Sequence, residues 1–130
     1  MRGWDIMVMD DESGLWMLHA APRWRQNLTR TLARQGLCEL DARILHTLAY
    51  KSAPLLQKTL GAALGAEPST LARSLQRLEQ GGFLTRTPDK ADRRAFAVGL
   101  TAQGTEIAIT LQGIVRDAFA ELFCTDDLTD

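Results

Sequence analysis

The chain has 130 residues, of which 45% are hydrophobic and 24% are charged, and its formal net charge is only −1. This length supports one domain with a buried core, and no apolar run approaches the ~20 residues of a membrane span. Acids near the N-terminus argue against a signal peptide, and the two cysteines lack metal or disulfide spacing, so we expect a cytoplasmic, single-domain protein with no membrane association and no cofactor.

A first helix follows an N-terminal arm that we expect to be loose over residues 1–12. Apolar residues recur at helical spacing over residues 13–35. Pro22 lies inside this pattern and predicts either a kink or the start of a new helix at its own position. After a glycine-containing break, Asp41 is the predicted N-cap of a second helix that runs to Tyr50.

Two short amphipathic helices come next, joined by a turn that contains Gly65. Leucines at positions 56, 60 and 64 define the third helix. Pro68 is suited to the first position of a fourth helix, which Gly81 and Gly82 terminate. This order of elements is typical of a helix-turn-helix.

The remainder of the chain predicts a hairpin and one long helix. Residues 83–85 and 95–100 have the composition of two short strands around the polar turn TPDKAD. Thr101 is the predicted N-cap of a helix that runs to about residue 123. This last helix carries apolar residues over a wide part of its surface, which favours burial against both its own domain and a second chain. The alternative is a core helix that its own domain encloses fully.

The fourth helix separates an apolar face from a polar one. Leu71, Leu75 and Leu78 share one face at spacings of four and three. The polar side carries hydroxyl, amide and guanidinium groups, which belong to Ser69, Thr70, Arg73, Gln76 and Arg77. Such groups can hydrogen-bond base edges and phosphates in the major groove of DNA, although a merely solvated face would have the same pattern.

The hairpin supplies the context that favours DNA. Its tip carries Lys90, Arg93 and Arg94, and residues 68–94 together contain six bases and three acids. A basic hairpin beside a major-groove helix can place an arginine in the adjacent minor groove, where the negative potential is concentrated. Asp92 is expected to order the turn by pairing with Arg94 and by accepting from backbone amides. The other interpretation is a polar turn whose arginines serve solubility.

These motifs together resemble the MarR family of bacterial and archaeal transcription regulators. The similarity covers roughly residues 15–128 and is strongest in PSTLARSLQRLEQGGFLTR, in the DRR of the hairpin and in LTAQG before the last helix. It implies a mainly α fold with a small β-hairpin wing, in which dimerisation helices over 13–36 and 101–130 flank a winged helix-turn-helix over 37–100. It further implies a homodimer that binds a pseudo-palindromic operator in double-stranded DNA, usually as a repressor.

The resemblance also implies which residues contact DNA and which line an effector pocket. It adds Ser74 to the contacts from the fourth helix. The implied wing contact is Arg94, aided by Arg93 and Lys90, with Asp92 as its orienting partner. Many members release DNA when a small aromatic or phenolic ligand fills a pocket. The candidate residues for such a pocket are Trp16, His19, Trp24, Ala42 and His46. Tryptophan at helical spacing is otherwise a core or interface residue.

The chain departs from the family pattern at three places. Leu56 stands where a Ser or Thr often caps the first helix of the motif, and Ala42 stands where an aromatic residue is common. The sequence ends in FCTDDLTD, where the family's last helix, which joins the dimer interface, would be starting. Some family members sense oxidants through a cysteine in the N-terminal helix, which Cys38 does not match. Neither Cys38 nor Cys124 has an adjacent positive group in the sequence, so no redox role is expected.

Two other functions compete with DNA regulation. We do not expect an enzyme, because His19 and His46 are the only histidines in the sequence and neither lies near a cysteine or a carboxylate cluster that could complete a triad or a metal site. A winged helix can instead bind another protein, or the chain can be a truncated regulator that binds DNA weakly. Salt dependence separates these cases, because each phosphate contact steepens the fall of DNA affinity with salt.

Overall fold

The computed structural model of the chain describes residues 11–51 and 53–124. These residues form five helices and three strands, which confirms the predicted mainly α fold with a small β wing. The elements are α1 (Asp11–Arg34), α2 (Glu39–Lys51), β1 (Leu55–Leu56), α3 (Gln57–Leu64), α4 (Pro68–Gln80), β2 (Leu84–Pro88), β3 (Phe96–Leu100) and α5 (Ala102–Cys124). The expectations for residues 1–10, for residues 125–130 and for the thiol of Cys124 lie outside the described part of the chain.

The first helix, α1, continues through Pro22. A new helix does not begin at the proline, so that part of the prediction is wrong. Proline removes one backbone hydrogen bond to the residue four positions earlier, which is Leu18. Both side chains are exposed here, so water can satisfy the carbonyl that the proline leaves free. Beyond it, Leu28 and Leu32 are buried and anchor the rest of the helix in the core.

The second helix, α2, begins at Glu39, two residues earlier than predicted, so Asp41 is not its N-cap. Asp41 is the third helical residue, and its Oδ2 accepts the backbone N–H of Cys38 at 3.0 Å. This contact is half of a capping box, in which an acid in the first turn satisfies the N–H of the residue before the helix. An acid suits both positions, which is why the sequence pattern indicated the wrong one.

The helix-turn-helix consists of α3 and α4. Leu56 is the N-cap of α3 and provides no side-chain hydrogen bond, as its departure from the family pattern predicted. Gly65 ends α3 with a φ of 60°, a left-handed conformation that glycine adopts without steric cost. Pro68 begins α4 as predicted, and Gly81 ends it. The turn therefore sets the start of α4 through residues that the sequence identifies.

The wing is a three-stranded antiparallel sheet in the order β1-β3-β2, whereas the sequence predicted two strands. β1 pairs with β3 through Leu55 opposite Val98, and β2 pairs with β3 over its whole length. A two-residue strand has no alternation of polar and apolar residues, so β1 left no pattern to recognise. Because β1 directly precedes α3, its pairing attaches the wing to the helix-turn-helix.

The start of α5 is attached to the base of the wing. Thr101 is the N-cap as predicted, since its Oγ1 accepts the N–H of Gly104 at 3.0 Å and donates to the carbonyl of Gly82 at 2.6 Å. A Cβ at Gly104 would lie 1.9 Å from the carbonyl oxygen of Phe83, so a larger residue would push the helix off the wing. These contacts fix the wing relative to α5.

A hydrophobic core connects the helices with the wing. Its fully buried leucines come from α1, α2, α3, α4 and β2, and include Leu32, Leu45, Leu60, Leu75 and Leu84. α5 packs against α1 and α2 and contributes Ala108 and Leu111 to this core. In the described part of the chain, no helix combines the length and the apolar character needed to cross a membrane.

Candidate nucleic-acid interface

The exposed side of α4 carries five of the six residues that were predicted to contact DNA from this helix. They are Ser69, Thr70, Arg73, Gln76 and Arg77. Ser74 is different, because it is only 4% exposed and lies with Leu71, Leu75 and Leu78 on the buried side. Arg73 makes no hydrogen bond or ion pair with another described residue, so its guanidinium is available to a ligand.

Arg77 is held by a buried acid from another helix. Its Nη2 lies 2.7 Å and 2.9 Å from the two carboxylate oxygens of Asp41, whose side chain is 1% exposed. This contact raises the pKa of the Arg77 guanidinium, first through the hydrogen bond and then through the attraction of the opposite charges. The guanidinium remains 53% exposed, so Arg77 joins the core of α2 to the outer face of α4.

Cys38 lies at the edge of the same cluster. Its thiol is exposed, and its Sγ is 3.5 Å from Nη2 of Arg77. The expectation that neither cysteine has a positive neighbour is therefore wrong for Cys38. Arg77 is distant in sequence and reaches the thiol only because both residues surround Asp41, so no local pattern could reveal the contact.

The N-terminus of α4 is capped by Glu67, which the sequence reasoning missed. The Glu67 carboxylate accepts the backbone N–H groups of Ser69 and Thr70, each at 3.1 Å. It also accepts both of their hydroxyl groups, at 2.5 Å from Ser69 and 3.0 Å from Thr70. These bonds, led by that from the Ser69 hydroxyl, lower the pKa of Glu67 from 4.5 to about 2. An acid directly before a proline at a helix start was the available signal.

The tip of the wing presents three basic side chains to solvent, those of Lys90, Arg93 and Arg94. Asp92 accepts the backbone N–H of Arg94 at 3.0 Å, and its Oδ1 lies 3.6 Å from Nε of the same arginine. The Arg94 side chain is 95% exposed, so this pair guides the side chain without burying it. Asp89 completes the turn by accepting the N–H groups of residues 91 and 92.

An ion pair connects the wing to α4. Arg86 of β2 donates from Nη2 and Nε to Oε1 of Glu79, at 3.1 Å and 3.3 Å. The guanidinium carbon of Arg86 also lies 5.7 Å from the ring centroid of Phe96 on β3. Arg86 is therefore engaged within the protein, and it sets the wing against the C-terminal half of α4.

A cavity of about 650 Å³ lies between α1, α2 and α5. It brings together Trp24, Ala42 and His46 from the predicted effector pocket, whereas Trp16 and His19 do not line it. Phe119 of α5 forms part of the wall, and its ring meets that of Trp24 edge to face at a centroid distance of 6.3 Å. The wall is mainly apolar and aromatic, as expected for a small-molecule site.

No metal centre is present among the described residues, since they contain no cluster of three histidine, cysteine or acidic side chains that could hold an ion. The geometry instead combines an exposed polar helix face with a basic wing. This combination defines the class of winged helix-turn-helix proteins.

Comparison with known proteins identifies the family within this class. The model of the MarR family matches residues 26–95, which is more than half of the chain. The chain therefore belongs to the MarR family. It is also similar to the HTH-type transcriptional regulator SarZ of Staphylococcus saprophyticus, with 38% identity over 64 residues. That match covers 49% of this chain and 44% of SarZ, so the similarity spans less than half of the relative's length.

Solved structures share the architecture over most of the chain. Wild-type MarR from E. coli in its apo form matches with a TM-score of 0.73 and 22% identity, over 88% of this chain and 83% of that chain. A mutant MarR from E. coli complexed with operator DNA matches with a TM-score of 0.70 and 21% identity, over 94% of this chain and 85% of that chain. At these levels of identity the likeness establishes the fold.

Proposed function

We propose that the chain is a sequence-specific transcriptional regulator that binds double-stranded DNA with α4 in the major groove and the wing tip in the adjacent minor groove. The observation that carries this proposal is that two connected elements, α4 and the wing, each expose a basic side chain. Arg73 projects from α4, Arg94 projects from the wing, and the Arg86–Glu79 ion pair joins the two elements. The DNA-bound MarR structure from E. coli has the same fold and supports the assignment.

We assign the exposed residues of α4 and of the wing to different parts of the DNA. Arg73 and Gln76 have the donors and acceptors that recognise base edges, and Arg94, Arg93 and Lys90 supply the wing contacts. Ser69 and Thr70 contact DNA from the helix start. Arg77 contributes one exposed side of its guanidinium while Asp41 holds the other. Ser74 is buried, so its contribution is to packing rather than to DNA.

We also propose a homodimer formed by α1 and α5, which gives the protein the two-fold symmetry of a pseudo-palindromic operator. Large apolar side chains are exposed on both helices, for example Leu15 at 65%, Leu18 at 74% and Ile109 at 64%. Such a surface is costly in water unless a second chain covers it. Light scattering at micromolar concentration tests the assignment: a dimeric mass supports it, and a monomeric mass contradicts it.

In the proposed mechanism the dimer acts as a repressor. A small aromatic or phenolic ligand that binds in the cavity lowers the affinity of the dimer for DNA. The apolar wall between Trp24 and Phe119 suits an aromatic ring, and Ala42 leaves room for it. The test adds phenol or benzoate to the protein–DNA complex and follows release by fluorescence anisotropy. An Ala42→Phe variant fills the cavity, so it should bind DNA normally and lose any response to these compounds. Release that is equal in both proteins would exclude the cavity.

The experiment that tests DNA recognition begins with a selection. The protein is used to select the duplexes that it binds from a pool of random DNA sequence. Duplexes of about 30 base pairs are long enough to contain two half-sites one helical turn apart, which is the spacing that a dimer recognises. Anisotropy then compares a selected duplex with a random duplex between about 50 and 200 mM salt. Selective, salt-sensitive binding is the expected result. Equal and weak binding to both duplexes would favour a protein-binding winged helix or a regulator with impaired DNA binding.

A further inference from the structure

The second helix, α2, connects the cavity between α1, α2 and α5 with the helix-turn-helix. Ala42 of this helix lines the cavity. The two residues that flank Ala42 both bind the helix-turn-helix. Asp41 forms the ion pair with Arg77 of α4, and Nη2 of Arg43 donates to the backbone carbonyl of Leu64 in α3 at 2.8 Å. A change in the cavity can therefore reach both helices of the motif through α2.

Of these two connections, Arg43 is the one that a molecule in the cavity can contact. Arg43 is part of the cavity wall, whereas Asp41 is not. Leu64 is the last residue of α3, and carbonyl groups at a helix end have no partner within the helix. Gly65 follows with a left-handed backbone, and α4 begins at Pro68. The bond from Arg43 therefore holds the end of α3 at the turn that positions α4.

The charges in the cavity wall favour an anionic ligand. Arg43 and Arg116 contribute two guanidinium groups to the wall. Glu39 contributes an acid, but its carboxylate lies 3.3 Å from Nη2 of Arg25 in an ion pair. The remaining wall is mainly apolar and aromatic. An aromatic carboxylate matches both properties, because its ring fits the apolar wall and its anionic group can pair with a guanidinium.

We propose that Arg43 is the positioning residue through which an anionic aromatic ligand in the cavity causes release of DNA. The carboxylate of the ligand draws the Arg43 guanidinium away from the Leu64 carbonyl, and the turn before α4 loses its connection to α2. This role rests on the proposed function, because it needs α4 in the major groove and a ligand in the cavity. It adds the bond that the ligand breaks and the charge that the ligand must carry.

The competition for Arg43 favours the ligand for two reasons. A carboxylate accepts two parallel hydrogen bonds from a guanidinium and carries the opposite charge, whereas the Leu64 carbonyl is neutral and accepts one bond from Nη2. The guanidinium is also a rigid planar fork, so turning it to pair with a carboxylate moves all of its N–H groups together. A neutral aromatic compound of the same shape fills the cavity without this competition, so it should leave the bond to Leu64 intact.

The test combines two ligands with four proteins. Benzoate and benzamide have nearly the same shape, and only benzoate is charged. Arg43→Met and Arg43→Gln both remove the guanidinium, so a folding defect in one variant is controlled by the other, and thermal unfolding checks each. Arg116→Met is the comparison, because it removes a guanidinium from the same wall and changes the net charge equally.

Two measurements are made on each protein. Fluorescence anisotropy gives the affinity for a selected duplex without ligand and with ligand at saturation, which calorimetry establishes for each protein. Amide hydrogen exchange of residues 64–67 in the free protein reports whether the turn has loosened, and it requires no DNA.

We expect saturating benzoate to weaken DNA binding by wild type about tenfold and benzamide to change it less than about twofold. Both Arg43 variants should resemble wild type with benzoate even when no ligand is present, with about tenfold weaker DNA binding and faster exchange in the turn. Benzoate should change neither property further. Arg116→Met should need more benzoate but still lose about tenfold in DNA affinity at saturation, because its side chain attracts the ligand without holding α3.

Three outcomes would overturn the role of Arg43: equal release of DNA by benzoate and benzamide, equal release by benzoate in wild type and in both Arg43 variants, or selective DNA binding by a wild type that responds to neither ligand. In the last case DNA recognition itself stands. A wild type that binds no duplex selectively would instead contradict the proposed function. Exchange in the turn then still tests Arg43, and exchange that neither benzoate nor the Arg43 variants accelerate would overturn its role.

Discussion

Replacing Arg77 by alanine distinguishes two roles of the polar face of α4, which are to stabilise the fold and to bind DNA. Arg77 and Arg73 lie one turn apart on the exposed side of the same helix. Arg77 is bound to the buried carboxylate of Asp41, whereas Arg73 has no partner among the described residues. We therefore expect Arg77→Ala to destabilise the fold and Arg73→Ala to leave stability unchanged, although both reduce DNA affinity.

The size of the effect follows from the burial of the two partners. Removing one member of a buried ion pair typically costs about 4 kcal/mol, because the other charge remains buried without compensation. Two features reduce this figure here. The Asp41 carboxylate keeps the hydrogen bond from Cys38, and the Arg77 guanidinium is 53% exposed, so water already weakens the pair. A loss of about 2 kcal/mol is the resulting expectation, which for a chain of this size lowers Tm by roughly 8 °C.

The assay is thermal unfolding followed by circular dichroism at one fixed protein concentration, because dimerisation makes Tm depend on concentration. Arg73→Ala is the matched control, since it removes the same side chain from the same face. An Asp41→Asn variant should fall between Arg77→Ala and wild type. Its amide oxygen at the Oδ2 position still accepts from Cys38 and Arg77, but its NH2 group at the Oδ1 position cannot accept from Arg77 and the negative charge is lost. If Arg77→Ala and Arg73→Ala unfold at the same temperature, the ion pair does not stabilise the protein and the reasoning is refuted.

Four further predictions concern the cap, the wing and α5. The pKa of Glu67 is lowered from 4.5 to about 2 in the folded protein. The ionised carboxylate therefore contributes its full stabilisation above pH 4.5, and this contribution is lost as the pH falls toward 2. Glu67→Gln should flatten this part of the acid unfolding profile. Gly104→Ala forces a Cβ against the carbonyl of Phe83 and should lower stability by about 3 kcal/mol in chemical denaturation. Thr101→Ala should cost about 1 kcal/mol and Thr101→Ser should restore most of it; equal stability of both variants would argue against the cap. Arg94→Ala should weaken DNA binding in anisotropy and leave Tm unchanged, because its side chain is exposed.

The elements that the sequence predicted best are those with a strong local signal. Pro68, Gly65 and Thr101 mark helix boundaries through backbone preferences that act within a few residues, and the structure has boundaries at all three. The apolar face of α4 was equally clear, because leucine spacing directly reports the buried side of a helix. Local signals of this kind define the fold class without any knowledge of tertiary contacts.

The predictions that were wrong concern residues whose position depends on contacts with residues distant in the sequence. Asp41 suits either of two positions at a helix start, and the position it takes also allows it to hold Arg77, 36 residues away. The pairing of β1 with β3 depends on Leu55 meeting Val98, and a two-residue strand leaves no pattern. The family resemblance implied a DNA contact for Ser74, but its side chain lies on the face of α4 that packs against the core.

The sequence predicted which basic residues of the candidate site are exposed, but not the hydrogen bonds and ion pairs that connect its residues. Exposed arginines on α4 and on the wing could be located from periodicity and from the basic turn. The hydrogen bonds that determine how those groups meet a ligand could not, because Glu67 precedes the periodic segment and Arg86 is a basic residue that pairs within the protein. Of the five suggested cavity residues, Trp24, Ala42 and His46 line one cavity because α1 and α2 pack there.

The most direct test of the account is the salt dependence of DNA affinity for wild type and for a variant that carries both Arg73→Ala and Arg94→Ala. The account predicts that wild type binds a selected duplex with an affinity that falls steeply as salt rises. It predicts that the variant has wild-type Tm, at least about tenfold weaker binding, and a slope that is smaller by about 0.9 for each phosphate that the variant no longer neutralises. The same affinity and the same slope in both proteins would contradict the claim that α4 and the wing form the DNA-binding surface.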